Sequence, residues 1–175
     1  GVSVYGIVRV FQGFSGVFNV GLQYIDTQSS LDLPSILEKS GVYSCLKYSY
    51  RILLFYVLII LSIYCVSSLI GFQRITTLIF GQQYASYSYI LNFVFVLVIL
   101  NLMNILIRQL FRIFNATSKI LIANLFASAI TIISINYVIK LFGINGVYLG
   151  SIVSQTTVII VGLWFLYKLN KLSIS

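Results

Sequence analysis

The sequence predicts an all-α polytopic membrane protein, a bundle of about five transmembrane helices. Three observations predict it. Of the 175 residues, 59% are hydrophobic and only 8% are charged, which is too little polar material to surface a soluble domain of this length. The apolar content equally excludes a disordered chain. Third, the apolar residues fall into five runs, each long enough for the roughly 20 residues of helix that a bilayer core requires.

The runs extend over 2–24, 48–72, 84–111, 120–139 and 144–167. Glycine and β-branched residues inside them would weaken a helix in water. In lipid every backbone group has to be paired within its own segment, so helix remains the expectation. A β-barrel would need alternating segments of about ten residues rather than continuous apolar runs. The whole of 1–175 is therefore read as one transmembrane domain. The chain opens at Gly1 inside an apolar stretch, with no charged leader or cleavage site, and it is expected to be a fragment of a longer protein.

The connections are polar. Residues 26–47 hold all three acidic side chains, Asp26, Asp32 and Glu38, and the single proline, Pro34; this stretch is expected to be a loop. Residues 73–83 carry an apolar patch, Leu78-Ile79-Phe80, that ends in Gly81 and suits the membrane interface. Tight turns are expected at 115–119 and 140–143. No carboxylate then lies inside a helix, Asp26 at the end of the first being the nearest, so coupling to a proton or sodium ion through a buried acid has no residue here.

The formal net charge of +8 does not read as a nucleic-acid footprint, because the Lys and Arg residues stand singly or in pairs at the ends of apolar runs. One side of the membrane receives Lys39, Lys47, Arg51, Arg108, Arg112, Lys119, Lys168 and Lys171, the other only Arg74 and Lys140. The positive-inside rule places the first side, and the C-terminus, in the cytoplasm. Cys45 and Cys65 have no disulfide or metal-ligand pattern, and histidine is absent; no cofactor and no enzymatic activity are expected.

Polar residues within the runs mark candidate sites. On a helix, Tyr5, Arg9, Gln12, Gly13, Gly16 and Gln23 share a face. A cation near mid-helix costs about 2.5–3.5 kcal/mol in lipid, so Arg9 either faces a water-filled lumen or snorkels to the interface. Asn101, Asn104, Arg108 and Arg112, spaced 3, 4 and 4, form a second stripe, either a shared cavity or interhelical glue with Arg112 as anchor. Asn124, Ser128 and Thr131 share a face in the fourth run, and Ser151, Ser154, Gln155 and Gly162 in the fifth; both suit helix packing.

Three stretches carry a family resemblance: Val4-Tyr5-Gly6-Ile7-Val8-Arg9-Val10, Leu78-Ile79-Phe80-Gly81-Gln82-Gln83-Tyr84 and Leu141-Phe142-Gly143-Ile144-Asn145-Gly146-Val147-Tyr148. Their order and spacing resemble the C-terminal part of polysaccharide biosynthesis membrane proteins, the O-antigen (Wzx-type) flippases of the MATE-like exporter superfamily. Val147 and Tyr148 stand where alanine is usual. The resemblance implies a parent of about twelve helices in two lobes, of which these are roughly helices eight to twelve. It also implies translocation of an undecaprenyl-diphosphate-linked oligosaccharide across the bacterial inner membrane by alternating access. Arg9, with Gln12 and Gln23, would then face the anionic head group, and Arg108, with Asn101 and Asn104, would form a second lumen site. The implied partners are the bilayer, the lipid-linked oligosaccharide and other glycan-assembly membrane proteins. A MATE-type drug or metabolite exporter and a non-transporting assembly protein are the alternatives.

Overall fold

A computed structural model describes residues 4–172, and every element in it is helical. Helix α1 covers Val4–Ile70, α2 Phe72–Phe80, α3 Ile90–Ile113, α4 Thr117–Phe142 and α5 Ile144–Leu172, with a 3-10 turn at Gln82–Tyr87 before α3. Four of the helices are long and apolar enough to cross a membrane. The first of them, Tyr5–Ile70, folds back on itself at Gly41. The chain is an all-α polytopic membrane protein.

The fold-back is a matter of one residue. Within α1 only Gly41 departs from helical geometry, at φ 75° and ψ −178°. A side chain at that φ would strain the backbone, and glycine carries none. Residues 4–40 and 42–70 therefore run as two antiparallel legs. The Tyr48 hydroxyl donates to Asp32 Oδ2 at 2.5 Å and Cys45 Sγ lies 3.7 Å from the Leu33 carbonyl. In a continuous helix Tyr48 and Asp32 would stand about 24 Å apart.

The polar stretch 26–47, expected as a loop, is thus helix on both sides of Gly41, and all three acidic residues lie within the first leg. Two physical reasons account for it. Its Gln, Ser, Leu, Glu and Lys residues tolerate helix once one face, Ile25 and Leu33 with the small Ser29 between them, is buried. Pro34 is exposed, so the carbonyl it deprives of a hydrogen bond is not trapped in the core. The remaining boundaries shift by a few residues: the third helix begins at Ile90 because 82–87 winds as a 3-10 turn, and the fourth and fifth extend to Phe142 and Leu172.

Helix α3 is the axis of the bundle. Half of its apolar window is buried, against 11% in α1, 11% in α4 and 17% in α5. It packs on the α1 hairpin on one side and α5 on the other, and α4 lies mainly against α5. The main core joins Phe11, Leu22 and Ile60 of α1 to Leu91, Phe95, Val98 and Leu102 of α3 and to Tyr148 of α5. A smaller cluster of Leu33, Cys45 and Leu110, flanked by Phe114 and Leu166, ties the hairpin tip to the C-terminal ends of α3 and α5.

That second cluster sorts the charges. Lys39, Lys47, Arg51, Arg108, Arg112, Lys119 and Lys168 all belong to the same end of the bundle, and Arg74 and Lys140 to the other. The Lys171 side chain lies outside the described set. Lys168 Nζ sits 3.9 Å over the Trp164 ring and Lys119 Nζ 5.3 Å over Phe165, a cation–aromatic rim typical of an interfacial girdle.

Close helix contact depends on small residues. A Cβ on Gly146 would stand 2.6 Å from the Val138 carbonyl oxygen, and one on Gly162 2.9 Å from Ile107. Gly146 lets α4 and α5 touch backbone to backbone, as small residues do in lipid. Helix α2 rests on the bundle through Phe72, Thr76 and Phe80, with Phe80 6.1 Å from Phe11; Leu78 and Ile79 face outward, 83% and 57% exposed.

Candidate functional site: a polar face and an amide-lined cleft

The first leg of α1 carries a polar line along its outer side. Arg9, Gln12, Gly16, Asn19, Gln23, Thr27 and Ser30 recur at intervals of 3, 4, 3, 4, 4 and 3, so they stack on one face. All are exposed apart from the half-buried Gly16. Because the leg continues past residue 24, the line runs about 32 Å from Arg9 to Ser30, the thickness of a hydrocarbon core. The core side of the same leg is Ile7, Phe11, Leu22 and Ile25, 6% exposed or less.

Beside this line a cleft of 150 Å³ opens between the first leg, α3 and α5. Its polar wall consists of Gln12 and Ser15 from α1, Asn101 from α3, and Tyr148, Ser151 and Gln155 from α5; Val8, Phe11, Val94, Leu97, Val98 and Val147 complete it. No charged side chain lines it.

A chain of amides leads inward from the cleft. Gln155 Nε2 donates to Asn101 Oδ1 at 2.7 Å, and Gln155 Oε1 accepts from Asn104 Nδ2 at 2.5 Å. Gln155 thereby bridges two successive turns of α3, and the head-to-tail order lets each bond polarise the next. The ladder ends on Asn104 Oδ1 and, one turn further along α3, Arg108 Nε, both buried with no partner among the described residues. Tyr148 also lines the cleft, and its hydroxyl is buried with no partner among the described residues.

The sequence-derived candidates divide between these features. Gln12 and Asn101 meet in the cleft, and Asn104 joins them through Gln155. Arg9 and Gln23 stand on the outer line, away from the cleft wall, and both are exposed. Arg108 is half-buried below the amide ladder. Neither arginine enters an ion pair among the described residues. The stripe on α5 is a working face, since Ser151 and Gln155 line the cleft. That on α4 is not a packing face: Asn124 and Ser128 are exposed, and Ala123 and Ala127 make the buried contact.

Sequence reasoning missed Asn19, although it follows from the spacing of the line, and Ser15, which lies beside the line and lines the cleft. It also missed Gln109, which is 2% exposed on α3 and donates to both the backbone oxygen and the carboxylate of Asp26. Asp26 is therefore held against the bundle rather than in a loop. No signal within either helix could have paired them, because they are 83 residues apart. Compared with known proteins, the chain matches no family model, no curated protein and no solved structure.

Proposed function

We propose that this chain forms part of the C-terminal lobe of a membrane flippase that moves undecaprenyl-diphosphate-linked oligosaccharide repeat units across the bacterial inner membrane by alternating access. The observation that carries the reading is the polar line on the first leg of α1. A face with an arginine, two glutamines and an asparagine, as long as the bilayer is thick, is costly against acyl chains. It suits a hydrated passage along which a polar head group travels while its lipid tail stays in the membrane.

In this reading Arg9 meets the diphosphate electrostatically, and Gln12, Asn19 and Gln23 supply hydrogen bonds weak enough to exchange along the path. Arg108, with Asn101 and Asn104, forms a second station toward the basic end, which the positive-inside rule puts in the cytoplasm together with the C-terminus. The cleft and the outer line carry no acidic side chain apart from Asp26, which borders the line and is already engaged by Gln109. That favours an anionic or neutral cargo over a cationic drug.

The test is complementation of a flippase-deficient strain with wild type, Arg9→Ala and Asn19→Leu, scored by surface glycan. Both variants are expected to export less, Arg9→Ala by about tenfold if it loses one charge-assisted contact in the path. Equal export by all three, at matched membrane levels, would sink the reading.

A further inference from the structure

The cleft beside the polar line has a chemistry different from that of the line itself. Its hydrogen-bonding wall is made only of neutral groups, from Gln12, Ser15, Asn101, Tyr148, Ser151 and Gln155. A phosphate would find no cation there, and an ammonium group no carboxylate. An acyl chain would leave the wall's donors and acceptors unpaired at a cost.

Size narrows the occupant further. A cavity of about 150 Å³ accommodates benzene, and this cleft has the same volume, 150 Å³; a pyranose, with twice as many heavy atoms, would seat one edge in it and project past exposed Gln12 and Ser151. Tyr148 points to a ligand independently of the cavity. It is 4% exposed, its hydroxyl has no partner, and its ring is stacked on Phe93 with centroids 6.1 Å apart and planes 19° apart. A buried phenol normally finds a partner. Among the described residues the Asn101 Nδ2 donors and the Gln12 side chain have no hydrogen-bond partner either, Asn101 entering the ladder only as an acceptor, while the Ser15 and Ser151 hydroxyls donate to their own helix and keep lone pairs free to accept.

We propose that the cleft between the first leg of α1, α3 and α5 is a subsite for one uncharged, hydroxylated six-membered ring, a pyranose of the translocated head group. One edge of the ring sits between Phe11 and the valines, its hydroxyls facing the amides and Tyr148. The inference rests on the flippase reading and adds to it a division of labour: the outer line carries the diphosphate, and the cleft holds a sugar.

The experiment measures equilibrium binding to the chain in lipid nanodiscs. The ligands are undecaprenyl diphosphate alone and the same lipid bearing glucose, galactose or N-acetylglucosamine. At least one sugar-bearing lipid is expected to bind about tenfold more tightly than the bare diphosphate, as for one or two extra hydrogen bonds. Tyr148→Phe, which keeps the stack on Phe93, should reduce that preference about fivefold and leave the bare lipid unchanged. Ser151→Phe, which fills the cleft from its exposed edge, should abolish the preference; thermal unfolding verifies that both variants fold. Arg9→Ala should weaken all four ligands alike. Equal binding of all four lipids by wild type, or a preference that survives both cleft variants, would mean that the cleft holds water only and overturns the proposal. If no lipid binds and Arg9→Ala is silent, the flippase reading fails and the subsite falls with it.

Discussion

The first leg of α1 and helix α4 both run along the outside of the bundle, and they offer opposite surfaces to it. Helix α4 turns Leu121, Leu125, Phe126, Ile132, Ile133 and Tyr137 outward, each 58–81% exposed. Asn124 and Ser128 interrupt that surface without extending into a line. The first leg turns Arg9, Gln12, Asn19 and Gln23 outward, with Val17, Val20, Tyr24 and Leu31 to one side. Inward the contrast reverses. Helix α4 meets α5 backbone to backbone where Gly146 lies against Val138 and Ile139, whereas the first leg leaves a polar cleft against α3 and α5. The two outer surfaces thus differ in kind, one aliphatic and aromatic, the other striped with amides and one arginine.

Four substitutions test this contrast. Gly146→Leu should have the largest effect, because its side chain would drive into the α4 backbone at Val138 and Ile139. Separating the two helices is expected to cost about 3 kcal/mol, read from the unfolding midpoint in detergent, and an unchanged midpoint would refute the backbone contact. Gly41→Val comes next, at about 2 kcal/mol, since a β-branched residue is strained at φ 75°. Gly41→Asn should be milder, as asparagine accepts positive φ, and a valine variant as stable as the asparagine one would argue against the hairpin geometry.

Gln155→Leu removes both rungs of the amide ladder at once. In a membrane such bonds average well under 2 kcal/mol, so a loss of about 1 kcal/mol is expected, and Asn101→Leu combined with it should add little because the two share a bond. Strict additivity in that double-mutant cycle would break the ladder. Asn19→Leu should leave stability unchanged within about 0.5 kcal/mol, since Asn19 touches no core. Its companion measurement carries the information. With Cys65, the exposed native thiol, replaced by serine, Asn19→Cys should react with a water-soluble maleimide about tenfold faster than Val20→Cys. The reactive species is the thiolate, and lipid suppresses it. Equal rates would place the polar line in the same environment as its aliphatic neighbours.

Much of the fold could be read directly from the chain. Apolar runs long enough to span, and basic residues at their ends, define the passes and sort the charges without any neighbour's help. The turn before α5 was legible too, because Gly143 ends one apolar run and starts the next. The position and form of the first turn were not. Residues 26–47 look like a connection because they are polar, but polarity reports exposure, not backbone conformation. The break depends on a single glycine among twelve.

The candidate site was legible one helix at a time. Spacing on the first leg and on α3 picked out Gln12, Asn101 and Asn104, and α5 showed its own stripe. Periodicity gives each face only relative to its own axis. Which faces meet depends on helix rotation and crossing, set by side chains packed from several elements at once.

The sequence by itself therefore determined that this protein is a bundle of membrane-spanning helices with a basic end and polar stripes, because burial in lipid is governed by local composition and length. Only the tertiary structure decided that the outer line runs the full depth of the first leg, that Gln155 bridges two turns of α3, and that Gln109 holds Asp26. Those outcomes follow from pairing between residues far apart in the chain, where azimuth and depth, not composition, choose the partner.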